Sequence, residues 1–167
     1  MPESISQIKI ISYEEHFKNQ TVELLEEFYQ YLIHIDPLKR LLIKPGYGEA
    51  ELKKILAEIE AKEGVFYIAV INNEIAGFVT ATITRQTPED LLGVIPSSIG
   101  RVTNLYVSAL NRQKGLGTTL LQKAEEYVKS KGCDVINVEV FAPNEPAQSF
   151  YAKLGYQPRK IDQIKKL

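Results

Sequence analysis

The sequence predicts one mixed α/β domain over residues 1–167, built on a mixed sheet rather than a doubly wound parallel one. Three observations carry this. Apolar residues recur at helical spacing through the first third of the chain, two alternating runs between 65 and 84 meet at a turn, and a strand–turn–helix–strand unit runs from 101 to 142. The hairpin requires antiparallel pairing, whereas the later unit requires a parallel return.

Ile8, Ile10 and Ile11, within residues 7–12, predict a short edge strand. From 13 to 35 the pattern is helical, with Phe17, Val22, Leu25, Phe28, Tyr29, Leu32 and Ile33 as an apolar stripe and Pro37 as its stop. Residues 38–48 are irregular, broken by Pro45, Gly46 and Gly48. A second helix over 49–62 places Leu52, Ile55, Leu56 and Ile59 on one face. Its charges, Glu51, Lys53, Lys54, Glu58 and Lys62, read as an ordinary solvated face.

Strands over 65–71 and 75–84 are joined by Asn72-Asn73-Glu74, residues suited to a tight hairpin. Thr80, Thr82 and Thr84 give the second strand one more polar face. The 85–100 loop carries Leu91, Leu92, Val94 and Ile95, so it is expected to cover a substrate or a partner chain. A buried strand over 102–107, a helix reaching Lys131, a strand over 133–142, a short helix over 146–154 and an extended piece near 159–164 complete the prediction.

A net charge of −1 with both signs interspersed gives no electrostatic case for nucleic acid or a membrane surface. No apolar run approaches the roughly 20 residues of a membrane-spanning helix, and Met-Pro-Glu-Ser does not resemble a signal peptide. A cytoplasmic protein is expected. Cys133, alone, forms no internal disulfide and reads as a small residue at a strand start. His16 and His34 show no metal-ligand spacing with the carboxylates, so no metal is expected.

Chemistry concentrates in Arg112-Gln113-Lys114-Gly115-Leu116-Gly117, which connects the 102–107 strand to the next helix. The first turn of a helix leaves backbone N–H groups unpaired and adds partial positive charge. Glycines at 115 and 117 let an anion reach those groups, with Arg112 and Lys114 beside them. The same glycines also fit a plain tight turn.

Leu105-Tyr106-Val107 followed by that glycine turn, and Asn144-Glu-Pro-Ala-Gln-Ser-Phe-Tyr-Ala-Lys-Leu-Gly-Tyr156, resemble two motifs of the GNAT superfamily of acyl-CoA-dependent N-acyltransferases. The likeness is clear from 101 to 156. It implies a mostly antiparallel central sheet with helices on both faces and a splayed parallel strand pair that forms a cleft for acetyl-CoA. The backbone of Leu105, Tyr106 and Val107 would then hold the pantetheine arm like an added strand. The diphosphate would lie on the backbone N–H groups of Gln113, Lys114, Gly115, Leu116, Gly117 and Thr118, beside Arg112. Asn144 would bond the arm from the other side, although an Asn there equally fits a helix N-cap. The implied partner is a primary amine on a small molecule or peptide, served by a monomer or homodimer.

By the same resemblance Tyr151 is the general acid that protonates the departing thiolate; its alternative is a core aromatic bonded to a carbonyl. Some family members carry a glutamate where this chain has Arg101. Glu139 is the substitute base, because alternation puts it on a strand expected to be covered on both faces, where an unused carboxylate is costly. It equally fits a solvated residue paired with a lysine. A catalytically silent acyl-CoA-binding sensor or docking module is the competing reading.

Overall fold

A computed structural model describes residues 8–167 of the chain. Five strands form one sheet in the order β1 (Lys9–Ser12), β2 (Val65–Ile71), β3 (Glu74–Thr84), β4 (Ile99–Val107) and β5 (Val135–Val138). Neighbours are antiparallel except β4 and β5, which run parallel. The helices are α1 (Lys18–Ile35), α2 (Tyr47–Ala61), α3 (Leu116–Ser130) and α4 (Glu145–Lys153).

Local chemistry sets most boundaries. A single 3₁₀ turn over Glu15–Phe17 precedes α1, so the helix begins later than its apolar stripe suggests. After α1 the buried Asp36 carboxylate accepts the N–H groups of Leu38, Arg40 and Leu41 at 3.0, 2.6 and 3.1 Å. Burial pushes this carboxyl up, but those backbone bonds together hold it below its ordinary value. The β2–β3 hairpin turns on Asn72 and Asn73, whose φ of 51° and 65° are the left-handed pair of a primed turn.

Helices cover both faces of the sheet. On one, Leu116, Leu120, Leu121, Ala124 and Val128 of α3 pack on Ala69, Val79, Ala81 and Val102. On the other, Leu24 and Leu25 of α1 and Leu52 and Ile55 of α2 pack on Phe66, Ile68, Phe78 and Tyr106. Each large aliphatic side chain fully buried here contributes about 1.5–3 kcal/mol. Thr80 and Thr82 are buried on the α2 side, so the polar face expected of β3 is not a wet one.

Two irregularities shape the centre of the sheet. Register passes from Ala81↔Val102 to Thr80↔Asn104, leaving Thr103 as an extra residue in β4. Before this bulge Gly100 and Val102 face α3; after it Leu105 and Val107 do, and Asn104 and Tyr106 face α1 and α2. The second irregularity is that β4 and β5 pair only from Ile99↔Val135 to Val102↔Val138. Beyond that rung β4 continues to Val107 paired with β3 only.

The strand expected over 133–142 is therefore cut to four residues, because its partner diverges. The 159–164 segment, expected to be extended, forms no strand, and Ile161 and Ile164 are exposed. Of the first predicted strand, residue 7 lies outside the described residues. Among the described residues no helix is long and apolar enough to cross a membrane.

Candidate functional site: the split between two parallel strands

The divergence of β4 and β5 leaves backbone groups without strand partners. Ser108 N–H donates to the Ala76 carbonyl on β3, so by alternation Leu105 and Val107 turn their N–H and C=O away from β3, into the gap. The narrow, non-hydrogen-bonded pairing of Gly77 with Val107 agrees, since a Cβ on Gly77 would lie 3.2 Å from the Val107 Cα. The side chains of Leu105 and Val107 are half-buried on the α3 side, while Tyr106 is buried on the other.

The glycine turn sits at the far end of this rail. Gln113 and Gly115 both adopt left-handed backbone, at φ 62° and 77°. Left-handed residues of this kind are the ones from which main-chain anion nests are built. No side chain caps α3, so its first-turn donors are left for another acceptor. Leu116 anchors the helix in the core, and Thr118 is half-buried.

The two glycines differ. Gly115 is demanded by its φ, whereas Gly117 has ordinary backbone, and a Cβ there would meet nothing closer than Phe150 and Val107 at 3.7 Å. A tight turn explains the first glycine and not the second. Lys114 bends back onto the Leu110 carbonyl at 3.1 Å rather than reaching across α3.

Arg112 is held over the rail. Its Nε donates to the Val107 carbonyl at 3.0 Å, one terminal nitrogen donates to the Tyr106 hydroxyl at 3.0 Å, and its guanidinium lies 5.3 and 5.2 Å from the rings of Tyr31 and Tyr106. Tyr106 donates in turn to Glu27 at 2.9 Å. Burial, then this carboxylate, pushes the phenol up to about 12.

Across the gap, Asn144 Oδ1 accepts from Ala147 N–H at 3.2 Å and from the Tyr31 hydroxyl at 3.0 Å. The N-cap alternative is thus realised, and one lone pair also points to α1. Tyr151 is buried, and burial pushes its hydroxyl well above the usual phenol range. Among the described residues that hydroxyl has no hydrogen-bond partner, so it is not tied to a carbonyl.

The Leu154-Gly155-Tyr156 ending supports this tyrosine. Gly155 at φ 89° closes a Schellman motif in which Tyr156 N–H donates to the Tyr151 carbonyl at 3.0 Å and Gly155 N–H to Ala152 at 3.1 Å. The two rings then meet edge to face at 5.3 Å, and Glu125 fixes the Tyr156 hydroxyl at 2.8 Å.

Glu139 lies beyond the end of β5. Its side chain is 87% exposed and pairs with Arg101 at 2.8 Å. The covered strand expected around it is absent, because the splay opens that face, and its partner is an arginine rather than a lysine. A carboxylate is thereby brought beside Arg101 from the segment that follows β5.

Arg101 and Glu139 open into a cavity of about 220 Å³ beneath α2. Thr103 and Asn104 of β4 form its floor; Glu51, Lys54, Ile55 and Glu58 form its α2 wall. Three of the five α2 charges expected on a solvated face therefore also line a cavity, while Lys53 and Lys62 lie outside its lining. The floor is fixed by Thr80, whose hydroxyl lies 2.6 Å from that of Thr103 and accepts from the Asn104 amide at 3.0 Å. Phe28 stacks on Tyr106, Tyr29 stacks on Tyr47 and His34 is exposed, so none of these rings lines the cavity. The 85–100 loop does not reach the cavity lining; Leu92 and Ile95 point to solvent.

Comparison with known proteins agrees with this architecture. The acetyltransferase (GNAT) family model matches residues 18–156, and the chain belongs to that family. It is 25% identical over 99 residues to an uncharacterized N-acetyltransferase of Methanocaldococcus jannaschii, covering 59% of this chain and 42% of that one. It is 28% identical over 127 residues to an N-alpha-acetyltransferase of Sulfurisphaera tokodaii, covering 74% and 73%. Against the first two curated relatives the chain spans about half of their length. Among solved structures, an aminoglycoside N-acetyltransferase, AAC(6')-Iy in complex with CoA, shares the fold at a TM-score of 0.75 and 17% identity, covering 99% of this chain and 98% of that one.

Proposed function

We propose that the protein is an acetyl-CoA-dependent N-acetyltransferase that acts on a primary amine by direct transfer in a ternary complex. The observation that carries this is the split itself: two parallel strands part at Val102 and Val138, and β4, open on its β5 side beyond them, leads to an uncapped, glycine-opened helix. Leu105 and Val107 supply strand-like bonds for an extended amide-bearing arm. The amides of 113–118 suit a diphosphate, and Gly117, whose backbone does not require a glycine, leaves room for it beside Phe150 and Val107.

Bound acetyl-CoA supplies a thioester, whose acetyl carbon an amine attacks as the C–S bond breaks. An alkyl amine of reference pKa about 10.4 must first shed a proton. Glu139, in the cavity with Arg101 and next to the split, is the acceptor we assign for it, directly or through water. Tyr151 is the donor to the departing sulfur: burial keeps it protonated, and its hydroxyl is not engaged elsewhere. Asn144 orients the arm while it caps α4. Arg112 leaves the Val107 carbonyl to meet the diphosphate.

Thermal unfolding with acetyl-CoA and free-thiol release with an amine panel test this. Stabilisation together with amine-dependent thiol release is expected. Stabilisation without release from any amine would identify a silent acyl-CoA-binding module instead, and no stabilisation at millimolar acetyl-CoA would refute both.

A further inference from the structure

We propose that the acceptor's amine is accompanied by its own carboxylate, as in a free amino acid or a chain beginning with Asp or Glu, and that Arg101 binds that carboxylate. This rests on the N-acetyltransferase reading above and specifies the substrate class of the same site.

Arg101 places a guanidinium in the wall of the cavity beside the split. One terminal nitrogen contacts Glu139 at 2.8 Å, and among the described residues no other protein acceptor engages its remaining N–H groups. A guanidinium presents a planar fork of five donors suited to a two-point carboxylate bond. Only part of that fork is used.

The charges argue against a polycation. Every cavity carboxylate already has a cation: Glu51 has Lys54 at 3.5 Å, Glu58 has Lys62 at 2.7 Å, and Glu139 has Arg101. No surplus of negative charge is left to gather a polyamine, and Arg101 would repel one. An amphoteric molecule, by contrast, exchanges into the Arg101–Glu139 pair, presenting its ammonium to Glu139 and its carboxylate to Arg101. That exchange loses little, because an ion pair with one member 87% exposed is weak.

Size and lining agree. At about 220 Å³ the cavity is smaller than the roughly 300–1,000 Å³ of drug-sized pockets. Thr103 and Asn104 offer hydrogen bonds on its floor, and Ile55 supplies the apolar patch for a small side chain.

The test is thiol release from acetyl-CoA with matched acceptors: free L-amino acids, their C-terminal amides, a peptide amide beginning with Asp, and alkyl diamines. Higher kcat/KM for acceptors bearing a carboxylate is expected, and Arg101→Gln should reduce their preference over the amides by about tenfold to a hundredfold, with Arg101→Lys recovering part of it. The free amino acid and Asp-peptide arms separate the two sources of the same chemistry. Amides or diamines used as well as the acids, or an Arg101→Gln variant whose preference is unchanged, would overturn the assignment while leaving N-acetyl transfer standing. Acetyl-CoA binding with no release from any arm would overturn both.

Discussion

The Tyr31 hydroxyl donates a 3.0 Å hydrogen bond to Asn144 Oδ1, joining α1 to the start of α4 across the mouth of the split. The same oxygen caps α4, and the Tyr31 ring lies against Arg112, which holds the Val107 carbonyl. In the free protein, side chains of the chain itself thus occupy two groups assigned to the cofactor. Tyr31→Phe removes one competitor without touching the cap. We expect acetyl-CoA to bind about two- to tenfold more tightly to it by calorimetry, the equivalent of one net hydrogen bond. An unchanged or weaker affinity would show that Tyr31 does not compete.

Tyr151→Phe keeps the ring packing on Phe150 and Tyr156 and deletes only the hydroxyl. Turnover should fall by about 10²–10⁴-fold, the usual contribution of a positioned proton donor, while acetyl-CoA affinity stays the same. Burial raises the folded-state value of this phenol, so the donor form persists as pH rises and is lost only above its ordinary value of about 10. No alkaline fall in kcat below about pH 10 is therefore expected from this residue.

Gly115→Ala and Gly117→Ala should part company in thermal unfolding. The first forces an alanine into left-handed backbone at φ 77° and should cost about 1–2 kcal/mol. The second adds a methyl with only ordinary contacts at 3.7 Å, and should leave stability unchanged or raise it by up to about 1 kcal/mol. Equal losses would mean that both glycines serve the turn alone.

Thr82, fully buried on β3, is the described side chain whose buried oxygen has no partner. Thr82→Val should raise stability by about 1 kcal/mol by removing that unmet donor and acceptor, visible as a Tm gain of about 2–4 °C. A lower Tm would reveal a bond to water at the hydroxyl.

Legibility from sequence followed the range of the interactions involved. The α1 stripe, the Asn72–Asn73 hairpin and the Gly115 turn are decided within a few residues, so they could be read directly. The Leu-Gly-Tyr ending could be recognised only as a motif; its cause is the Schellman bond that seats Tyr151. What was missed depends on residues far apart in the chain. The Thr103 bulge reverses which side chains of β4 face α3, and no local pattern announces an extra residue in a strand. Glu51, Lys54 and Glu58 have ordinary helix-surface spacing, and only the nearness of Arg101 makes them a cavity wall. Alternation predicts for Glu139 a burial it does not have, because it says nothing about where two strands part.

Hydrogen–deuterium exchange with and without acetyl-CoA tests the central claim most directly. Slowed exchange at the Leu105 and Val107 amides and across 113–118, with little change along β2, is the expected result. Binding that leaves both of those segments exchanging at their free rates would contradict the claim that the split between β4 and β5 holds the cofactor.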